Sequence, residues 1–313
     1  MQPEIKNTTI ETKKDPMGFI LLMVLAMAAW GGSWPSAKVI AGMAEAEVLV
    51  FWRFSITFIS FIPIIIWSKD NLRVNLKTLA LIFLSAVLMV IYNELFFAGL
   101  RNGLAGVGGV LVTTLSPMFT FILSAFFLGR PVGRREIFGL LLGLIGGFII
   151  LDLGNFQGKE LVQSGNLLFL LGALVWAALT VTSQKAQGKG VSTFVYSFYL
   201  YGFASLFDFF IALRFQVFDA LQLAPLFWWN IFYLAIFATT FATSIYFLGS
   251  KKLGADRASV FMYLVPVFAV FVSWLLLNEI PKVSTVVGGM LAMGAVYLVN
   301  KKNRDELNDR HEA

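Results

Sequence analysis

The sequence predicts an all-α membrane protein: ten transmembrane helices arranged as two inverted five-helix repeats. Four observations predict it. Apolar runs of about 20 residues recur along the whole chain. The chain is 58% hydrophobic and 13% charged, where a soluble domain carries about 25% charge. The basic residues fall almost entirely on one side of the resulting map. Finally, the two halves resemble each other at an offset of 149 residues.

The expected spans are 18–41, 47–68, 77–99, 104–128, 134–152, 164–184, 192–213, 226–250, 255–278 and 283–300. At about 1.5 Å per residue, each helix crosses or nearly crosses a hydrocarbon layer of about 30 Å. A helix satisfies its own backbone hydrogen bonds, which lipid cannot do. The first span follows lysines and contains a small-residue pattern at Ala26 to Ala28. Cleavage there would destroy the repeat, so it is read as a span and not as a signal peptide. The organisation expected is a cytoplasmic tail at 1–16, repeats at 17–153 and 163–300, and a second cytoplasmic tail at 301–313.

The basic residues orient the map. With the N-terminus cytoplasmic, the outer loops hold only Arg101, Lys159, Arg214 and Lys282, and Lys38 and Arg53 fall within spans. The other 18 of the 24 Lys and Arg lie inside. This bias puts both termini in the cytoplasm; the membrane expected is a bacterial inner membrane. Trp52 and Trp67 bracket the second span and Trp228 and Trp229 open the eighth, as interfacial anchors. Lys38 is expected to snorkel to the outer headgroups.

The repeat is clearest where "TTLSPMFTFILSAFFLGRPVGRREIFGLLLG" meets "MYLVPVFAVFVSWLLLNEIPKVSTVVGGMLA". Leu115, Pro117, Phe119, Ser124, Leu128 and Gly139 align with Leu264, Pro266, Phe268, Ser273, Leu277 and Gly288. Trp30 and Trp176 share small-residue surroundings, "AMAAWGGS" and "GALVWAAL". Five spans per half is odd, so the second half enters the membrane from the opposite side. Such inverted repeats mark many secondary transporters.

These features resemble the drug/metabolite transporter superfamily, in its ten-helix form with two EamA domains. The resemblance rests on "AWGGSWP" in the first span, "FWRFS" opening the second and the prolines of the fourth and ninth. "LLLNEIP" followed by "GGMLAMGAVYLV" adds to it. The resemblance implies a central substrate cavity, alternating access and small-metabolite cargo. That cargo is often amino acids or their derivatives, usually exported. One departure is visible: "GRP" in the first half stands where the second has Asn278, Glu279 and Ile280.

Polar residues inside the spans are the candidate site, because charge at mid-membrane is costly and seldom unpaired. Glu94 and Arg53 lie at similar depth on the third and second spans, with Asn93 beside Glu94. One reading has Glu94, Asn93 and Arg53 binding a zwitterion in the cavity, since carboxylate and guanidinium match an α-amino and an α-carboxyl group. The other is a Glu94–Arg53 clasp that touches no cargo. Asp208 is the candidate coupling residue, a proton removing its charge; the alternative is a carboxylate near enough to the surface to stay wet. Trp30, Trp34 and Trp176 form either a substrate wall or ordinary packing. Pro117 and Pro266 are either paired hinges or static kinks. Gly139, Gly143 and Gly147 form a close-contact stripe, within the protein or at a homodimer contact.

Other classes fit poorly. The chain has no cysteine, and its one histidine, His311, lies in the tail. That removes the usual metal clusters and thiol chemistry, so neither an enzyme nor a cofactor or metal is expected. No phosphate-binding glycine loop suggests ATP as the energy source. The partners expected are a small-molecule substrate, the bilayer and protons, with no nucleic acid. The rival cargo is a lipophilic or cationic drug.

Overall fold

A computed structural model describes residues 16–102, 105–129, 133–150, 164–188, 190–277 and 283–300. The polar tails with His311, the basic residues Arg130, Lys159, Lys189 and Lys282, and the 278–280 triplet lie outside them. The described residues form ten helical rods. These are α1 (Pro16–Ile40), α2 (Ala46–Ser68), α3 (Leu76–Asn102), α4 (Ala105–Leu128), α5 (Arg134–Ile150), α6 (Ser164–Gln187) and α7 (Thr193–Ala212). After them come α8 (Pro225–Leu253), α9 (Ala255–Val260, continued through a 3₁₀ turn into Leu264–Leu277) and α10 (Val283–Asn300). Seven helices among the described residues are long and apolar enough to cross a membrane; a shorter apolar stretch at Val286–Asn300 lies within α10.

Local chemistry sets the ends. Lys69 adopts a left-handed φ of 54° and returns its N–H to Ile65 O, closing α2. Asn75 Oδ1 accepts from Thr78 N at 2.9 Å and starts α3. Ser192 accepts from Val195 N at 3.1 Å and starts α7, while its own hydroxyl donates to Asp70 Oδ2 at 2.7 Å. Gly254, at φ 100°, makes the reversal between α8 and α9 that a side chain would resist.

The packing shows the internal symmetry. The most extensive pairings are α3 on α6, α5 on α10, α4 on α6, α2 on α7, and α1 on α9 and the middle of α8. Each joins a helix of the first half to one of the second. Exchanging every helix with its counterpart five places on returns the same set: α3–α6 becomes α8–α1, and α4–α6 becomes α9–α1. The halves therefore interleave and are not two bundles side by side. The outer surface carries many large apolar side chains, among them Ile66, Trp67, Phe126, Phe210 and Trp229. Lipid is the solvent for such a surface.

Two expectations change here. Trp67 and Trp229 face outward, but Trp52 and Trp228 turn toward each other with ring centroids 5.0 Å apart. Trp52 Nε1 donates to Val217 O at 3.0 Å. They belong to a cap over one end of the bundle, formed by two 3₁₀ turns at 213–222. Lys38 likewise donates to Leu100 O near the end of α3, where a cation meets the negative helix terminus.

The glycine stripe packs within the chain. A β-carbon at Gly139 would strike Val299, at Gly143 the Tyr263 ring, and at Gly147 Thr114. Pro117 lies within the continuous α4, whereas Pro266 follows the 3₁₀ turn Phe261–Tyr263 in α9. The two prolines are thus not in identical settings.

Arg101 pairs with Glu45 at 2.6 Å, but the side chains are 41% and 50% exposed. Arg101 also donates to Ala44 O at 2.8 Å. We expect Glu45→Gln to change thermal stability by less than about 1 kcal/mol, and Arg101→Ala to cost more through the lost backbone contacts. Melting curves of both variants in the same detergent check this; equal losses would contradict it.

Candidate functional site

The site forms where the interleaved halves meet. Arg53 on α2 is buried. Its Nη1 donates to Asn93 Oδ1 at 2.9 Å and its Nε to Thr239 Oγ1 at 3.0 Å. Asn93 is itself held by donating Nδ2 to Met89 O at 3.0 Å, one turn earlier on α3. The arginine is thus gripped from α3 in the first half and α8 in the second. Two of its five N–H donors are used in these bonds.

Thr239 reaches Arg53 because α8 changes its winding. Between Tyr233 and Thr243 the helix is a π-helix. Thr239, Thr240 and Thr243 donate to carbonyls five residues back, at Leu234, Ala235 and Ala238. The same loosened carbonyls take bonds from α1 and α2: Trp30 Nε1 donates to Ala238 O at 2.8 Å and Thr57 Oγ1 to Ala235 O at 3.3 Å. Wide turns of this kind occur often at functional sites.

Trp30 and Trp176, one from each half, meet edge to face with centroids 5.2 Å apart. Tyr92 packs on Trp176 at 4.7 Å and Tyr246 on Trp30 at 5.0 Å. Trp30, Tyr92 and Trp176, with Trp34, Phe96 and Tyr201, line a cavity around Arg53 and Asn93 that Tyr246 backs from behind Trp30; it has about 40 Å³ of room for water. A water needs roughly 10–15 Å³ by that measure, so only a few fit. The Trp176 Nε1 and the Tyr201 hydroxyl are buried at this wall, the first beside Tyr246 and the second beside Thr243. Arg53 is the one formally charged residue among the described residues lining the cavity.

The structure therefore brings together Arg53, Asn93, Trp30 and Trp176, and it adds Trp34 to the wall. It does not bring Glu94 there. Asn93 and Glu94 are consecutive, so their side chains leave α3 about 100° apart. Asn93 takes the inward face; Glu94 is half-buried and absent from the lining. No Glu94–Arg53 ion pair forms among the described residues; the Asn93 carboxamide holds the guanidinium instead. Asp208 is not near the surface either: it is 0% exposed, and neither carboxylate oxygen has a hydrogen-bond partner. Thr239, Tyr92 and Tyr201 went unanticipated. The three threonines in "FATTFATS" were a readable sign, being polar residues in an apolar run.

A buried polar cavity on the seam between two inverted, interleaved halves defines a membrane transport protein. The comparisons specify which kind. The model of the EamA-like transporter family matches residues 17–152 and 163–301, and the chain belongs to that family. An uncharacterized transporter of Bacillus subtilis (strain 168), YyaM, is 27% identical over 303 residues, covering 92% of this chain and 97% of that one. An uncharacterized transporter of Archaeoglobus fulgidus is 23% identical over 290 residues, covering 90% and 97%. One solved crystal structure shares the fold with a TM-score of 0.73 at 19% identity, covering 96% of this chain and 100% of that one.

Proposed function

We propose that this transporter moves small metabolites carrying a carboxylate, amino acids or their derivatives first among them, outward across a bacterial inner membrane by alternating access. The carrying observation is a buried guanidinium in an aromatic cavity, with no carboxylate among the described lining residues. Arg can grip a carboxylate through two parallel hydrogen bonds. Trp176 Nε1 and Tyr201 supply further donors nearby. An α-ammonium then rests on the faces of the surrounding rings, a role Glu94 does not fill. A cationic drug fits less well, because it would meet Arg53 with like charge and find no counter-charge in the wall.

In this reading the termini are cytoplasmic, following the basic-residue bias. Pro117 and Pro266 serve as bending points when the halves move. The protein acts as a carrier and not as an enzyme.

The test is a panel of labelled amino acids, nucleosides and lipophilic cations offered to the purified protein in lipid vesicles. Saturable exchange of carboxylate-bearing compounds, inhibited by unlabelled amino acids and not by the cations, is expected. Carriage of lipophilic cations alone would replace this reading with the drug-efflux one.

A further inference from the structure

Asp208 sits one turn before the end of α7, beneath the 213–222 cap. It is fully buried and both its oxygens lack partners. Glu94 also keeps one buried, unpartnered oxygen. Asp208 is within electrostatic reach of Glu94 on α3 and Glu47 on α2, and Glu94 within reach of Glu47. None of the three lines the cargo cavity.

The groups on the elements packed against α7 do not neutralise this cluster. On α2, Arg53 is committed to Asn93 and Thr239. On α3, Tyr92 packs on Trp176, while Lys77 and Arg101 lie at the two ends of the helix. On the cap, Arg214 and Asp219 are exposed. On α8, Tyr246 shares a hydrogen bond with Thr180, and Lys251 and Lys252 are in the last turn. On α6, Lys185 is in the last turn, at the opposite end of the bundle. Two carboxylates within reach of a third that is dry and unpaired are costly, and a small cation relieves that cost.

The cap is built to respond. Gln216 joins its two turns at φ 52°, a conformation that L residues other than glycine seldom adopt. Val217 and Ala220 are buried beneath it, and Trp52 Nε1 pins the strained junction through Val217 O at 3.0 Å. Phe209, next to Asp208, touches both Phe51 on α2 and Phe218 of the cap.

We propose that buried Asp208, with Glu94 beside it, is a proton-binding site separate from the cargo cavity, and that the bound proton keeps the 213–222 cap seated. The proton comes from the aqueous phase beyond the cap and returns there. When it leaves, the bare carboxylate draws in water and the cap lifts. This rests on the transporter reading and supplies it with a coupling ion.

The native chain has no cysteine, so single thiols report cleanly. Ala220→Cys places one under the cap, where Ala220 is 4% exposed, and Leu221→Cys places a control where Leu221 is 58% exposed. The full chain in phosphatidylglycerol-containing nanodiscs, without cargo, is labelled with a hydrophilic maleimide from acid to alkaline pH. The ratio of the two rates removes the titration the thiols share, and the same two thiols in Asp208→Asn measure what remains from the buried thiol's higher pKa. We expect that ratio to rise several-fold with pH, to stay low and flat in Asp208→Asn, and to rise with a displaced midpoint in Glu94→Gln. Asp208→Glu, which retains a titratable group, serves if the asparagine variant does not fold, and is expected to keep a pH-dependent ratio with a moved midpoint. A ratio independent of pH in the native background overturns the proposal. So does an unmoved profile in the Asp208 variants, or a profile that follows sodium at fixed pH. Amino-acid exchange in vesicles is measured separately, so loss of the proton site and loss of the cargo reading are distinct results.

Discussion

Arg53→Gln is expected to weaken binding of carboxylate-bearing cargo by about 10- to 100-fold while leaving a folded protein. Hydrogen bonds to a charged group contribute about 1.5–3 kcal/mol, and each 1.4 kcal/mol is tenfold in affinity. Folding is expected to survive because removing a buried charge also removes its desolvation cost, and a neutral replacement is often tolerated. Glutamine can still donate to Asn93 Oδ1 or Thr239 Oγ1, the two groups that now hold Arg53. Arg53→Lys keeps the charge but loses the planar fork, so an intermediate loss is expected. Competition between labelled and unlabelled amino acids in vesicles measures all three proteins. Unchanged affinity in Arg53→Gln, with normal expression, would remove Arg53 from the cargo site.

Gly143→Leu is expected to destabilise the protein by about 1–3 kcal/mol or more, the range for forcing extra atoms into a filled core. A β-carbon there enters the Tyr263 ring. That ring cannot simply withdraw, because its hydroxyl donates to Leu140 O at 3.2 Å and its side chain is 1% exposed. The collision pushes α5 away from α9 and α10, and the α5–α10 pairing is one of the main joins between the halves. Melting in detergent, followed by size-exclusion recovery after heating, checks this. Gly172→Ala is the control, since a β-carbon there meets only ordinary contacts with Tyr92 and Leu95. Equal melting of the two variants would show that the stripe is not tightly packed.

The rods were legible because lipid imposes a simple rule: apolar runs interrupted by charge and turn residues. The expected 47–68 and 283–300 spans fall within a residue of Ala46–Ser68 and Val283–Asn300. Arg53 and Asn93 were legible for the same reason, as polar groups that an apolar run must explain. The partner of Arg53 was not. Choosing between adjacent Asn93 and Glu94 requires the rotation of α3 about its axis, and that is fixed by packing against α6, which composition does not describe. Thr239 was hidden by the π winding of α8, which alters the side-chain period without a distinctive residue pattern. The burial of Asp208 was hidden too. It depends on 213–222 folding back as a cap, and that mixed segment, LRFQVFDALQ, reads only as a connection between spans.

The edge-to-face meeting of Trp30 and Trp176 couples one indole from each half at 5.2 Å. Two chromophores this close and fixed in an asymmetric arrangement share their electronic transitions, which gives a signature in near-ultraviolet circular dichroism. Any movement that separates the halves at this depth pulls the pair apart and erases that signature. The unlabelled chain thus carries its own optical gauge of whether the passage is shut.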